Sequence, residues 1–164
     1  MTETEKALQL ETETDIIIRI GEIVWKKTEK SDDNFTNLTE PEKVFIYVDM
    51  LEGQVNNGGF DQFFINSSGD YTHEILAAYE IIKAHKTADL IEMAIKAFPA
   101  LPVPKDTETR REIMQNLDES IINLWDELDN KFYEYEENIA GLLIDYIKQN
   151  IDKVGQTIKP TPNG

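Results

Sequence analysis

Along most of the chain, large apolar residues recur every three or four positions, the rhythm of a helix with one buried face. Ile16, Ile17, Ile20, Ile23 and Val24 set it first, opposite Arg19, Glu22 and Lys26. Ile18 and Trp25 widen that stripe, which predicts a helix contacted on more than one side. After a polar connection from Lys30 to Leu38, Thr39-Glu40-Pro41-Glu42 has the form of a capping box, with proline in the first turn. Val44, Phe45, Val48, Leu51 and Val55 make the core face of the helix that follows, which is expected to end near Asn56–Gly58. Phe60, Phe63 and Phe64 fit a short helix halted by Asn66–Asp70. Thr72 is placed to cap a helix carrying Ile75, Ala78, Tyr79 and Ile82, and Thr87 one carrying Leu90, Ile91, Ala94, Ile95 and Phe98. Pro99, Pro102 and Pro104 then enforce an extended loop, the candidate seam between sub-domains. From Thr107 the series Ile113, Met114, Leu117, Ile121, Leu124, Trp125, Leu128 is unbroken and predicts one long helix to about Asn130. A last helix carries Tyr135, Ile139, Leu142, Leu143, Tyr146 and Ile147. No stretch alternates with period two as a strand would. The pattern predicts an all-α fold, a single-domain irregular bundle of about six or seven helices over residues 14–154, with flexible segments at 1–13 and 155–164.

Composition narrows the chemistry. The 164 residues include no cysteine, which excludes disulfides, thiolate metal sites and cysteine nucleophiles. Thirty-two Asp and Glu against sixteen Lys and Arg give a net charge of −16, which opposes direct binding to nucleic acid. No apolar run reaches the ~20 residues of a membrane span, and the Thr/Glu-rich start has no basic-then-apolar signal, so residence in the cytoplasm is expected.

One segment is more elaborate than a turn requires. Gly53–Asp70 contains Asn56, Asn57, Gly58, Gly59, Phe60, Gln62 and Phe63, then Asn66, Ser67, Ser68 and Gly69. Asn57 or Gly58 is expected to close the preceding helix in the left-handed conformation, and Gly59 to permit a sharp redirection. Gln62 and Asn66, four apart, face the same side. This run, with Leu128-Asp129-Asn130-Lys131-Phe132-Tyr133 as a weaker second likeness, resembles a bacterial family named for an acidic DNA-mimic protein, over about residues 39–151. That resemblance implies a helical domain and a role in occupying the DNA site of a transcriptional repressor.

Charge placement bears on that role. Within Asp106–Asp145 there are twelve acids and three bases. Glu108, Glu112, Glu119 and Asp126 fall on one outward face of the expected long helix, a row of about 27 Å at 1.5 Å per residue. Duplex DNA carries about one charge per 1.7 Å of axis, so this row is sparse unless Glu134, Glu136, Glu137 and Asp145 thicken it. The plainer reading is a solvated acidic face that aids solubility. For enzyme chemistry the pattern offers little. His73 and His85 are the only histidines, at opposite ends of one expected helix. His73, near Asp70 and Glu74, is the one loose metal or acid–base candidate and reads more plainly as a helix-start residue bonded to a loop carbonyl, and His85 reads as a favourable charge at a helix end. Phosphate-loop, Glu-x-x-His and Gly-x-Ser-x-Gly patterns are missing, and no metal or cofactor is expected. The leading expectation is a non-enzymatic acidic interaction protein whose partner is a basic DNA-binding protein such as a transcription regulator. The alternatives are a ligand or catalytic pocket built around Asn56–Asp70, and an immunity-type inhibitor of a basic nuclease. Oligomeric state is open, a homodimer included.

Overall fold

The computed structural model describes residues 1–30 and 35–156. Among them are eight α-helices and no strand: α1 (Glu3–Ala7), α2 (Glu13–Thr28), α3 (Glu40–Ile65), α4 (Thr72–Ile81), α5 (His85–Lys96), α6 (Thr107–Met114), α7 (Glu119–Tyr133) and α8 (Ile139–Gln149). Short 3-10 turns cover Ser67–Tyr71 and Ile151–Lys153. The fold is all-α, as the periodicity predicts. The chain forms two compact units, Met1–Ile46 with Ala140–Gly164, and Tyr47–Ile139. The proline-rich loop lies inside the second unit and is not the seam.

In the first unit the expected capping box forms. The Glu42 N–H donates to Thr39 Oγ1, and the Thr39 N–H donates to Glu42 Oε2 at 2.9 Å. Glu42 is wholly buried, and its carboxylate also receives Lys27 Nζ, 2.7 Å from each oxygen, and the Gly155 N–H at 2.8 Å. A buried carboxylate is tolerated because each oxygen is satisfied and a cation faces it. The apolar residues Ile16, Ile20, Val24, Val44, Phe45, Ile46, Leu143, Ile144 and Ile147 of the same unit are all buried. The first residues, expected to be loose, include the capped helix α1, whose Thr4 is buried and donates its hydroxyl to Val154 O. Of the expected C-terminal tail, Gly155 carries a positive φ of 77° against Thr4 and Ile23. The rest, 157–164, lies outside the described residues, as does 31–34 of the expected polar connection.

The second unit is organised by aromatic rings. Phe64 stacks on Trp125 with centroids 4.9 Å apart and meets Phe98 at 5.3 Å and Phe63 at 5.1 Å. The Trp125 indole N–H is satisfied by Ala94 O at 3.0 Å. Each such side chain, fully buried, contributes about 1.5–3 kcal/mol of apolar transfer.

Three local expectations are corrected here. The helix expected from Thr107 to Asn130 is two helices, because Asp118 leaves the helical region and its carboxylate caps α7 by accepting the Ser120 N–H. The apolar spacing runs through the break undisturbed, which is why periodicity did not reveal it. Histidines 73 and 85 lie on different helices, and His85 opens α5 instead of closing a helix. Tyr135 stands outside any helix with a φ of 45°.

Candidate functional site

The glycine-rich segment folds into a tight corner. Gly59 has φ 76° and ψ −174°, a region open essentially to glycine alone, and α3 bends there. Neither Asn57 nor Gly58 adopts a positive φ; the redirection expected of Gly59 carries the whole turn. The freed N–H of Phe60 donates to Asp129 Oδ1 at 2.8 Å, and a Cβ on Gly59 would lie 2.1 Å from Asp129 Oδ2. The second stretch of the resemblance therefore serves the first. Burial raises the Asp129 carboxyl above its usual range, the Phe60 N–H opposes that, and the nearby Asp126 and Asp61 add to it.

Beyond the bend the motif amides bond to one another. Asn57 Nδ2 donates to Gln62 Oε1 at 3.0 Å, while Gln62 Nε2 and Asn66 Nδ2 both donate to Gln54 Oε1, at 3.1 and 2.9 Å. Ser68 Oγ donates to Phe63 O. Ser67 is exposed. Arg110 fills the hollow that the rest of the segment encloses. Fully buried, it donates to Phe64 O (2.9 Å), Asn66 O (2.9 Å), Pro104 O (2.8 Å), Lys105 O (2.7 Å) and Asp70 Oδ1 (2.6 Å). A Cβ on Gly69 would stand 2.7 Å from Arg110 Nε, which accounts for glycine there. Asn56 turns elsewhere. Its amide donates to the Tyr135 hydroxyl at 2.6 Å, which donates to Glu52 Oε2 at 2.8 Å; the buried Tyr79 donates to Glu52 Oε1 at 3.0 Å. Burial raises the Glu52 carboxyl, with the two phenols and Asn56 pulling the other way. Burial and the Glu52 charge push Tyr135 up to about 12, and Tyr79 well above its ordinary value.

The acidic residues divide into engaged and unengaged sets. Glu108 pairs with Arg111 at 2.8 Å and Glu136 with Lys86 at 3.5 Å. Glu137 accepts the N–H and hydroxyl of Thr87, at 2.7 and 3.0 Å, supplying the cap at α5 expected of Thr87 itself. Glu134, Glu136 and Glu137 lie in the connection between α7 and α8, not on the last helix. The break before α7 removes the continuous helical row of Glu108, Glu112, Glu119 and Asp126. The exposed side of α7 instead carries Glu119, Asp126 and Glu127, with Glu134 at its C-cap; no ion pair reaches any of these four among the described residues. His73 accepts the Val103 N–H at 3.1 Å, so its partner is a backbone donor of the proline-rich loop and not the carbonyl expected.

The family model described as DMP19-like protein matches residues 36–150. The chain belongs to the DMP19-like family. Comparison with curated proteins and with solved structures finds no match. The family region spans the capped start of α3, the glycine corner, Arg110 and Asp129, so the corner belongs to the part of the chain the DMP19-like family describes. Among the described residues no helix is long and apolar enough to cross a membrane. Arg110, Glu52 and Glu127 escaped the sequence reading. Arg110 stands among exposed charges and only its i+4 spacing to Met114, which is also buried, hinted at an inward position.

Proposed function

We propose that this DMP19-like protein is a non-enzymatic mimic of DNA, presenting the outward side of α7 to the DNA-binding surface of a basic protein such as a transcription regulator. The observation that carries the reading is the set of four carboxylates, Glu119, Asp126, Glu127 and Glu134, that form no ion pair among the described residues. Glu119 and Asp126 stand two turns apart, as do Glu127 and Glu134, so the charges repeat along the helix over about 22 Å. That is one charge per 5–6 Å, against about 3.4 Å along one DNA strand. Asp129, whose carboxyl is held above its usual range by burial and in part by the charges of Asp126 and Asp61, adds acid to the patch at its middle. Clustered like charge held on a rigid helix steers a basic partner and weakens with salt.

The test is competition. Proteins captured from a lysate on the immobilised chain and released by a salt step are assayed for binding to duplex DNA, with and without the free chain. A basic protein displaced from DNA by the wild type, but not by the E119Q/D126N/E127Q/E134Q variant, is the expected result. Equal displacement by the variant overturns the assignment of this surface, and capture of an inhibited nuclease would reassign the surface to inhibition of that enzyme.

A further inference from the structure

A cavity of about 290 Å³ opens between the start of α5 and the end of α7, inside the second unit. Its apolar lining is Leu90, Phe132 and Tyr135. Two lysines, Lys86 and Lys131, and two glutamates, Glu134 and Glu136, also line it, so its charges cancel in a molecule that carries −16 overall. Lys131 forms no hydrogen bond or ion pair through its ammonium among the described residues, and Glu134 none through its carboxylate. Lys86 and Glu136 pair with each other at 3.5 Å, which leaves one unpaired charge of each sign, Lys131 and Glu134, beside an apolar surface.

The wall of this cavity is built, not incidental. Tyr135 holds the left-handed backbone conformation that bulky residues avoid, and such strain persists only where the surroundings enforce it. They do so through its hydroxyl, fixed between Asn56 and Glu52, and through its ring, edge-on to Phe132 with centroids 5.8 Å apart. Asn56, the first residue of the glycine-corner motif, thus positions a side chain of the cavity without lining it. The volume lies just below the roughly 300–1,000 Å³ usual for ligand pockets, the scale of a small ligand.

We propose that this cavity binds a free α-amino acid with an aromatic or branched apolar side chain, its carboxylate toward Lys131 and its ammonium toward Glu134. Neither a simple anion nor a simple cation uses both Lys131 and Glu134, whereas a zwitterion with an apolar body satisfies both and the rings.

The probes are L-phenylalanine and L-leucine, titrated into the full chain by calorimetry and by proton saturation-transfer spectroscopy. Saturable binding is expected, and N-acetyl-L-phenylalanine amide, which lacks both charges, is expected to bind at least about tenfold more weakly, the equivalent of about 1.4 kcal/mol. Lys131→Met and Glu134→Gln change exposed side chains and should each weaken phenylalanine. Tyr135→Phe keeps the ring but frees it from Asn56 and Glu52, and should weaken binding while leaving the preference for the uncapped ligand intact. No saturable binding of either amino acid, or equal binding of phenylalanine and its capped form, overturns the proposal.

Discussion

At the scale of single residues, two positions decide whether the corner exists. Gly59→Ala forces a Cβ into Asp129 and a side chain into backbone space that costs about 1–3 kcal/mol even without a clash. Urea unfolding should show at least that loss, with part recovered in Gly59→Ala/Asp129→Ala, which removes the clash but leaves the backbone strain and takes away the acceptor of the Phe60 N–H; full recovery would contradict the conformational argument. Arg110→Met leaves four carbonyls and the Asp70 carboxylate without their shared donor, and should cost about 3–5 kcal/mol in the same measurement. Arg110→Lys should recover little, since one ammonium cannot span the fan of acceptors. These two residues also mark what the sequence makes legible. A glycine pair after a helix announces a backbone need that local chemistry alone explains. A buried arginine is set by where carbonyls 44 to 46 residues away converge with two just before it, and beside it in the chain only the spacing to Met114 hints at that.

At the scale of elements, helix type was readable from the apolar rhythm but helix ends were not, wherever a cap competed with the rhythm. Asp118 breaks α6 from α7 with one side-chain bond while Met114, Leu117 and Ile121 keep their spacing. Glu137 caps α5 across 50 residues of sequence. The acidic face followed the same logic: its members were visible as a surplus of carboxylates, but which of them are spent on caps and ion pairs depends on neighbours that only the fold supplies. The Glu52 cluster ties α3, α4 and the segment after α7 together, and its pH dependence has a definite sign. Burial raises the folded carboxyl above its unfolded value of 4.5, so the folded state holds the proton more tightly. The stability this gives is fully present below pH 4.5 and is lost as pH rises through the folded value. Glu52→Gln removes the titration, so its stability relative to wild type should improve steadily as pH rises across that window. Urea midpoints collected from pH 4 to 8 check it, and a difference independent of pH would show that Glu52 titrates as an ordinary exposed acid.

At the scale of the whole molecule, charge and connectivity make separate demands. With a net charge of −16, self-repulsion opposes compaction, and salt relieves it. The melting temperature should rise between low and physiological ionic strength, and rise less in the E119Q/D126N/E127Q/E134Q variant, from which four of those charges are gone. Connectivity gives the sharper test, because the family match ends inside the first unit at both sides. A fragment of residues 36–150 retains Glu42 and its cap on α3 but lacks Lys27 of α2 and the Gly155 N–H, both of which meet the buried carboxylate. It also lacks Ile16, Ile20 and Val24, which are buried in the intact chain, while keeping their unit's Val44, Phe45 and Ile147. An uncompensated buried charge alone costs about 3–5 kcal/mol, comparable to the margin by which small domains are stable. The fragment should therefore bind a hydrophobic dye and unfold at lower urea than the full chain. Lys27→Met in the full chain isolates the ionic part: it should lose stability without binding dye, since α2 still covers the apolar residues. Equal urea midpoints for fragment and full chain would mean that the family region folds without the helices before it, and that Lys27 and Gly155 close over a carboxylate already satisfied by its own cap.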